Sequence, residues 1–205
     1  MKVLFLDMDG VLVPFNAQGV VPGLLGQLKR IHDTTGCKVV LSSAWRIFKS
    51  SVALVNQHLQ SAEIHPLIGE TPQLGVERSQ EVITWMETHE ENRQVQLKRL
   101  LVTSQETGLS AELLELTLTE IEEINGEEIT HWVAVDDMNL SMYNSKSGYS
   151  MRGHFVHTDS NVGLVADRAD LAIRILTDTL TEEDHALDRK LHADVHAEFE
   201  AKEKL

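Results

Sequence analysis

The segment Val3–Val11, with the sequence VLFLDMDGV, is the part of the chain that decides the fold. Its first four residues, Val3–Leu6, are an uninterrupted apolar run followed by Asp7, which is typical of a short strand buried on both faces. Asp9 lies two residues further on, so its side chain can reach the same edge as that of Asp7. Gly10 allows the chain to turn sharply after the pair. The segment therefore predicts a buried strand with two carboxylates at its carboxyl end.

Two later apolar runs, Val39–Leu41 and Trp132–Val135, are also followed at once by polar side chains. Between the three runs, apolar residues recur at helical spacing after Pro22 and after Arg78. Strands that alternate with helices predict an α/β fold with a mostly parallel central sheet. The carboxyl ends of parallel strands line one edge of a sheet, where ligands bind. The side chains expected to meet there are those of Asp7, Asp9, Ser42, Ser43, Asp136 and Asp137.

The remaining periodicity predicts further elements. Residues 46–59 have helical spacing with Ile47 on the inward face, and a loop with two prolines follows them. His154–His157 is a candidate strand, and Ala166–Leu176 a candidate helix.

Crowded carboxylates raise one another's pKa unless a cation lies among them. Carboxylate oxygens in a partly open site suit Mg²⁺, which keeps several waters and shares its ligand shell with substrate phosphate. A carboxylate can also act as a nucleophile, and a second one can act as general acid and then base. The pattern therefore favours Mg²⁺-dependent chemistry on a phosphate group.

Composition limits the alternatives. A chain of 205 residues has room for one well-buried domain with additions, and its apolar content of 42% is that of a globular protein. The single cysteine, Cys37, rules out an internal disulfide and a cysteine-based metal site, which favours a reduced, cytoplasmic setting. No apolar run approaches the ~20 residues of a membrane span. The net charge of −14 does not favour extended nucleic-acid binding, although a bound metal could attract a nucleic-acid end.

Three of these segments resemble motifs of the haloacid dehalogenase (HAD) superfamily of phosphohydrolases. DMDGV at Asp7–Val11 is similar to its first motif, VVLSS at Val39–Ser43 to its second and VAVDD at Val133–Asp137 to its fourth. Arg78, which opens a helix after a proline-containing loop, is the best match to the basic third motif. Lys98 and Arg99 are the competing candidates.

Two shorter strings narrow the resemblance. LSSAWR at Leu41–Arg46 and NVGL at Asn161–Leu164 look most like a capless subgroup that includes phosphatase domains associated with RNA-repair proteins. The resemblance implies a Rossmann-like three-layer fold without a large cap domain. It covers the chain to about Leu176, apart from residues 91–128.

The resemblance also implies a role for each matched residue. Asp7 would be the nucleophile and a Mg²⁺ ligand, and Asp9 would be the acid/base and offer its backbone carbonyl to the metal. Asp136 would bind Mg²⁺ directly, and Asp137 would do so through water or orient the other ligands. Ser42 would hydrogen-bond a phosphate oxygen, and Arg78 would neutralise charge on the phosphoryl group. Further phosphate or substrate contacts are expected from Gly10, Ser43 and Arg46, with Trp45 a weaker candidate.

We accordingly divide the chain into a phosphatase domain at residues 1–180 and a charged, helical C-terminal tail at 181–205. The tail contains three histidines, two of them at i,i+4 spacing, but a solvated helix explains them better than a metal site does. Residues 91–128 form a helical insertion before the fourth motif. We expect it to pack either beside the active-site mouth, or at the opposite edge of the domain or in a dimer interface.

The sequence predicts a Mg²⁺-dependent phosphomonoester hydrolase that acts through an aspartyl-phosphate. Its substrate could be a nucleotide, a nucleic-acid end or a phosphoprotein, and the size of the substrate and the oligomeric state are open. The alternative is a phospho-accepting signalling module of the receiver type without turnover. Such modules carry their adjacent acid pair at the first strand and the acceptor aspartate later, which is the reverse of the order here.

Overall fold

The computed structural model describes residues 1–107, 127–140 and 149–202, and the side chains of 1–98, 127–140 and 149–193. Its sheet has five strands in the order β3-β2-β1-β4-β5, and every recorded pairing between them is parallel. The nucleophile candidate Asp7 therefore follows the central strand. The strands are β1 (Lys2–Leu6), β2 (Lys38–Leu41), β3 (Gly69–Glu70), β4 (His131–Asp136) and β5 (Phe155–His157).

In the described residues, five α-helices and one 3₁₀ turn connect or follow these strands. The helix α1 begins with Pro22 in its first turn and ends at Gly36, whose left-handed conformation (φ 67°) suits glycine. The helices are α1 (Pro22–Thr35), α2 (Lys49–Ser61), α3 (Arg78–Thr107), α4 (Ala166–Thr177) and α5 (Glu182–Lys202), and the 3₁₀ turn is Ala44–Ile47.

The helices cover the sheet unequally. Helices α1, α2 and α4 pack on one face, where Leu28, Leu59 and Leu176 are fully buried. Helix α3 packs on the other face through Val82, Ile83 and Met86. This three-layer arrangement is the predicted Rossmann-like fold. Because the crossover through α3 reverses the direction in which strands are added, β1 and β4 flank a topological switch point.

The strand register places the candidate residues next to one another at the carboxyl ends of their strands. Leu6 pairs with Leu41 on one side and with Val135 on the other, so the next residues, Asp7, Ser42 and Asp136, lie side by side on three adjacent strands. Side chains alternate between the faces of a sheet, so these three share the face that α3 covers. The first turn of α3 is thereby placed next to them.

Three predicted boundaries differ from the structure. The helix expected from residue 46 begins at Lys49, because residues 44–47 form a separate 3₁₀ turn, and Ile47 is exposed rather than inward. Residues 69–70, read as loop, pair with β2 as the edge strand β3. The helical pattern near residues 97–101 is not a separate helix but belongs to α3, which continues to Thr107.

The roots of the insertion lie away from the catalytic edge of the sheet. Helix α3 starts at this edge with Arg78, so residues 91–107 lead away from it. The chain returns beside Met1, at the amino end of β1, where Thr130 donates to the Met1 carbonyl at 2.9 Å. Of the insertion predicted at residues 91–128, residues 108–126 lie outside the described part of the chain, so its packing stays a prediction.

Helix α5 corresponds to the predicted tail, but its first turns are packed against the domain. Asp184 accepts two hydrogen bonds from Arg174 of α4, and Asp188 accepts one from the backbone of Gly153. In the described part of the chain, no helix is both long and apolar enough to cross a membrane.

Candidate active site

One guanidinium nitrogen joins two of the predicted catalytic carboxylates. Arg78 Nη1 lies 2.6 Å from Asp7 Oδ2 and 2.9 Å from Asp136 Oδ2. Both carboxylates are almost fully buried, and the Arg78 side chain is 16% exposed, so the contacts are made with little competing water. Arg78 is thus brought to the site, whereas Lys98 is an exposed residue of α3 about 30 Å further along that helix. The Arg99 side chain lies outside the described ones.

Burial and crowding dominate the electrostatics of this group. Burial raises the pKa of Asp7, although the Arg78 charge and a hydrogen bond from Ser43 oppose the change. Burial, followed by the charge of Asp7, raises the pKa of Asp136 to about 7. The paired carboxylates in turn raise the pKa of Arg78, which stays charged. One arginine therefore does not compensate two buried carboxylates.

Asp137 completes a group of three acids that could hold a metal ion. Oxygen atoms from Asp7, Asp136 and Asp137 lie within 4.8 Å of one another. With Arg78, these groups carry a formal excess of two negative charges, which one Mg²⁺ would neutralise. Three carboxylate oxygen donors fit Mg²⁺, which keeps several waters and shares its ligand shell with substrate phosphate.

Gly10 keeps Asp137 close to the first motif. Its φ of +70° favours glycine, and an added Cβ would lie 2.3 Å from Asp137 Oδ2. Any side chain at this position would displace that carboxylate. Two neighbours fix the surrounding backbone, since Thr158 Oγ1 donates to the Gly10 carbonyl at 2.9 Å and His157 Nε2 donates to the Asp137 carbonyl at 2.8 Å. Sequence reasoning missed both roles, because a His-Thr pair at the end of an edge strand has no distinctive spacing.

The two serines after β2 have different surroundings. The hydroxyl of Ser43 accepts from the Trp45 backbone at 3.4 Å and hydrogen-bonds Asp7. The Ser42 hydroxyl is buried and has no hydrogen-bond partner among the described residues. A buried hydroxyl without a partner is costly, so this is the serine whose hydrogen-bonding capacity is open to a ligand oxygen.

Asp9 is held by a residue that the sequence indicated only weakly. The indole Nε1 of Trp45 donates to Asp9 Oδ2 at 3.0 Å. The Asp9 carboxylate is therefore oriented by the loop after β2, while its other oxygen takes no part in this bond. Trp45 is half-buried against the core and so is a rigid support for the carboxylate.

Arg46 is engaged within the protein rather than left pointing freely at a substrate. Its Nη1 donates to the Ser43 carbonyl at 2.7 Å, and its Nη2 pairs with Glu81. Glu81 also accepts from the backbone of Leu74 at 2.9 Å. Since Glu81 lies one turn after Arg78, this buried pair ties the start of α3 to the loop after β2. The predicted contact of Arg46 with substrate stays a prediction.

Comparison with known proteins adds one finding. A family model described as the HAD domain in Swiss Army Knife RNA repair proteins matches residues 3–114, more than half of the chain. No curated protein and no solved structure gives a significant match. The matched span includes the first three strand ends and Arg78, and the structure brings Asp136 and Asp137 to them from outside it. Such a domain suggests a phosphohydrolase-type function. The chain belongs to the family of HAD domains found in Swiss Army Knife RNA repair proteins.

Proposed function

We propose that the protein is a Mg²⁺-dependent phosphomonoester hydrolase that acts through an aspartyl-phosphate on Asp7. The proposal rests mainly on one contact: a single guanidinium nitrogen of Arg78 bonds both Asp7 and Asp136, and Asp137 lies beside them. Phosphoryl transfer depends mainly on positioning and on charge stabilisation, and these residues supply both.

In the first half-reaction, a carboxylate oxygen of Asp7 attacks the phosphorus atom and the bond from phosphorus to the ester oxygen breaks. The leaving oxygen takes a proton from the Asp9 carboxyl group, which Trp45 holds in place. Arg78 stabilises negative charge on the phosphoryl oxygens, and Ser42 donates to one of them. The products of this step are the free alcohol and the aspartyl-phosphate.

In the second half-reaction, the Asp9 carboxylate removes a proton from a water molecule that attacks the same phosphorus atom. The bond between Asp7 and phosphorus breaks, which releases inorganic phosphate and restores the Asp7 carboxylate. Asp9 ends the cycle protonated and ready for the next substrate.

Asp7, Asp136 and Asp137 would hold the Mg²⁺ ion, together with the backbone carbonyl of Asp9. When bound, the ion neutralises charge on the phosphate oxygens and on the crowded carboxylates. Arg46 and Glu81 support the reaction by fixing the first turn of α3, and therefore Arg78.

We place the substrate among nucleotides and phosphorylated nucleic-acid ends. The family description connects these domains to RNA repair, and the chain has no large lid between its first and second motifs. An open site accepts a bulky phosphorylated end, while the net charge of −14 argues against a long contact with a polyanion.

The test is turnover of a generic aryl phosphate, with Mg²⁺ and with EDTA, by wild type, Asp7→Asn and Asp9→Asn. We expect EDTA to abolish turnover and Asp7→Asn to lower kcat by at least about 10³-fold, because the amide is neither a nucleophile nor a good metal ligand. Asp9→Asn should be nearly as damaging and should accumulate phosphorylated protein. The control is Asp167→Asn, which alters an exposed carboxylate at the start of α4.

Near-full turnover by Asp7→Asn would overturn the mechanism. A wild-type protein that takes up phosphate without turning over would instead be the receiver-type module.

A further inference from the structure

Exposed apolar side chains are concentrated at one edge of the domain. The described residues include ten large apolar side chains that are more than 40% exposed. Three of them, Leu54, Ile68 and Val95, lie on helices or before an edge strand. The other seven lie in loops that follow the carboxyl ends of the five strands, and we call them the apolar rim: Phe15, Ile47, Phe48, Leu74, Val76, Met138 and Val162.

The rim residues that follow the three middle strands are the ones nearest to the proposed phosphate site. Phe15 follows the central strand β1, and Ile47, Phe48 and Met138 follow the two strands that flank it, about 5 Å to either side. The Met138 backbone donates to Asp136 Oδ1 at 2.8 Å. Phe48 closes the 3₁₀ turn whose Trp45 holds Asp9. Met138 is therefore hydrogen-bonded directly to a residue of the site, and Phe48 lies three residues from the side chain that holds Asp9.

The two phenylalanines are the largest exposed groups of the rim. Phe15 is 67% exposed and Phe48 is 65% exposed, and neither belongs to the buried core. Their backbones are nevertheless held, since Phe15 donates to the Ser160 carbonyl at 2.9 Å and Phe48 caps the start of α2. Exposed aromatic rings on fixed backbones can bind a planar group at a low cost in conformational entropy.

In the described residues, the charges around the rim do not suit a long phosphate backbone. In the described residues of the five loops, the one cationic side chain is Arg46, which is engaged with Glu81 and Ser43. Lys49 and Arg78 open the helices that follow, and Arg78 faces Asp7. Proteins that follow a nucleic-acid strand line the path with free cations, so the rim is suited to one or two uncharged planar groups next to a single phosphate.

We propose that Phe15 and Phe48 form a stacking subsite for the nucleobase next to the scissile phosphate. The inference rests on the proposed function and extends it, because it names the part of the substrate recognised and the residues that do so. Stacking uses the π-face that all bases share, so the subsite discriminates base from no base rather than one base from another. Ile47 and Met138 would cover the edges of the stacked base.

The experiment compares a substrate with a base and one without. We would measure kcat/KM for adenosine 5′-monophosphate, adenosine 3′-monophosphate, ribose 5-phosphate and a phosphotyrosine peptide, in wild type, Phe15→Ala and Phe48→Ala. The readout is the ratio of the nucleotide value to the ribose 5-phosphate value. Loss of one stacked base corresponds to a fall of about 5- to 150-fold in this ratio.

Two further variants serve as controls. Phe48→Tyr keeps an aromatic ring and should retain most of the ratio. Val95→Ala removes an exposed apolar side chain (46%) about 25 Å along α3 from Arg78, and should leave the ratio unchanged. Equilibrium dialysis of adenosine monophosphate against the same variants measures binding without turnover.

A ratio unchanged by both alanine variants would overturn the inference, even if aryl phosphate is still hydrolysed and the proposed function stands. A loss confined to the phosphotyrosine peptide would overturn it in favour of a protein substrate. Conversely, base-dependent binding that weakens in Phe15→Ala or Phe48→Ala, in a protein that hydrolyses no phosphate, would support the subsite and refute the proposed function.

Discussion

Two arginine–carboxylate clusters in this domain are built from the same groups and shift carboxyl pKa values in opposite directions. In the site, Arg78 meets Asp7 and Asp136, and the pKa of both carboxyl groups is raised. Between α4 and α5, Arg174 meets Asp184, and the pKa of that carboxyl group is lowered. An arginine partner alone therefore does not determine how a carboxylate titrates.

Burial is the largest influence on the pKa of Asp7 and Asp136, whereas hydrogen bonds from Arg174 are the largest influence on the pKa of Asp184. Asp184 accepts from two nitrogens of Arg174 and from the backbone and hydroxyl of Thr181, and it donates its own backbone N–H to that hydroxyl at 3.2 Å. This is a capping box at the start of α5, and both carboxylate oxygens are satisfied by the protein. In the site, two buried carboxylates share one guanidinium nitrogen. The carboxylate of the Arg174 cluster is satisfied by the protein itself, whereas the Arg78 cluster has an excess of negative charge that a cation could offset.

The largest expected difference is between the kcat values of two single variants, Arg78→Ala and Arg174→Ala. Arg78→Ala should lower kcat for an aryl phosphate by about 10²-fold, because a preorganised positive charge at the phosphoryl group is lost. Arg174→Ala should leave kcat within about two-fold, since Arg174 stabilises the fold away from the site. Lys98→Ala is the matched control on the same helix as Arg78. If Lys98→Ala lowered kcat and Arg78→Ala did not, the assignment of the third motif would be wrong.

The two clusters should also change the free energy of unfolding with pH in opposite directions, which is the second largest effect we expect. In metal-free protein, Asp136 titrates near 7 rather than near 3.8, so the folded state holds an extra proton between these values. This group therefore lowers the free energy of unfolding as pH rises from about 4 to 7. Asp184 has a lowered pKa, so the stability it contributes is present above the ordinary aspartate range and is lost as the solution is acidified.

Denaturant midpoints measured from pH 3 to 8 in EDTA would check both signs. Asp136→Asn should remove the decline between about pH 4 and 7, and saturating Mg²⁺ should reduce it in wild type. Asp184→Asn should instead flatten the acid limb. Identical pH profiles of stability for wild type and Asp136→Asn in EDTA would show that the pKa of Asp136 is not raised in the metal-free protein.

The smallest expected effect is a loss of stability when the cluster of Arg174 and Asp184 is altered. Asp184→Asn should lower the free energy of unfolding by about 1–2 kcal/mol, because the capping box and the bidentate contact with Arg174 are both weakened. Its turnover of aryl phosphate should match wild type. Glu183→Gln alters the exposed neighbour in the same helical turn and should change stability by less than about 0.5 kcal/mol. Equal destabilisation by the two variants would argue against the capping box.

The sequence alone predicted the sheet and the residues at its strand ends, for a physical reason. Strands buried on both faces are uninterrupted apolar runs, and the polar residues directly after such runs have few roles except at the ligand-binding edge. Arg78 was assigned through the resemblance, as the best match to the third motif of the family, because it opens a helix after a proline-containing loop. The structure brings Asp7, Arg78, Asp136 and Asp137 together as expected, while the catalytic roles of these residues remain to be tested.

Contacts between distant, unpatterned residues could not be predicted in this way. The Arg46–Glu81 pair joins residues 35 positions apart, and the bond from Trp45 to Asp9 spans 36 positions. Neither pair has a periodic spacing, since each depends on how two loops meet after the sheet has formed. The two-residue strand β3 was missed because it is too short to show alternation.

The Ser42 hydroxyl is buried without a partner among the described residues. Its effect on stability and its proposed effect on phosphate binding are therefore opposite. In the ligand-free protein it is an unmet hydrogen bond that lowers stability, and alanine at this position would remove the penalty. In the proposed phosphate complex, the same hydroxyl would donate to a phosphate oxygen, and alanine would lose that contact. Redesign guided by stability alone would therefore replace this serine, and under the proposed function that replacement would weaken phosphate binding.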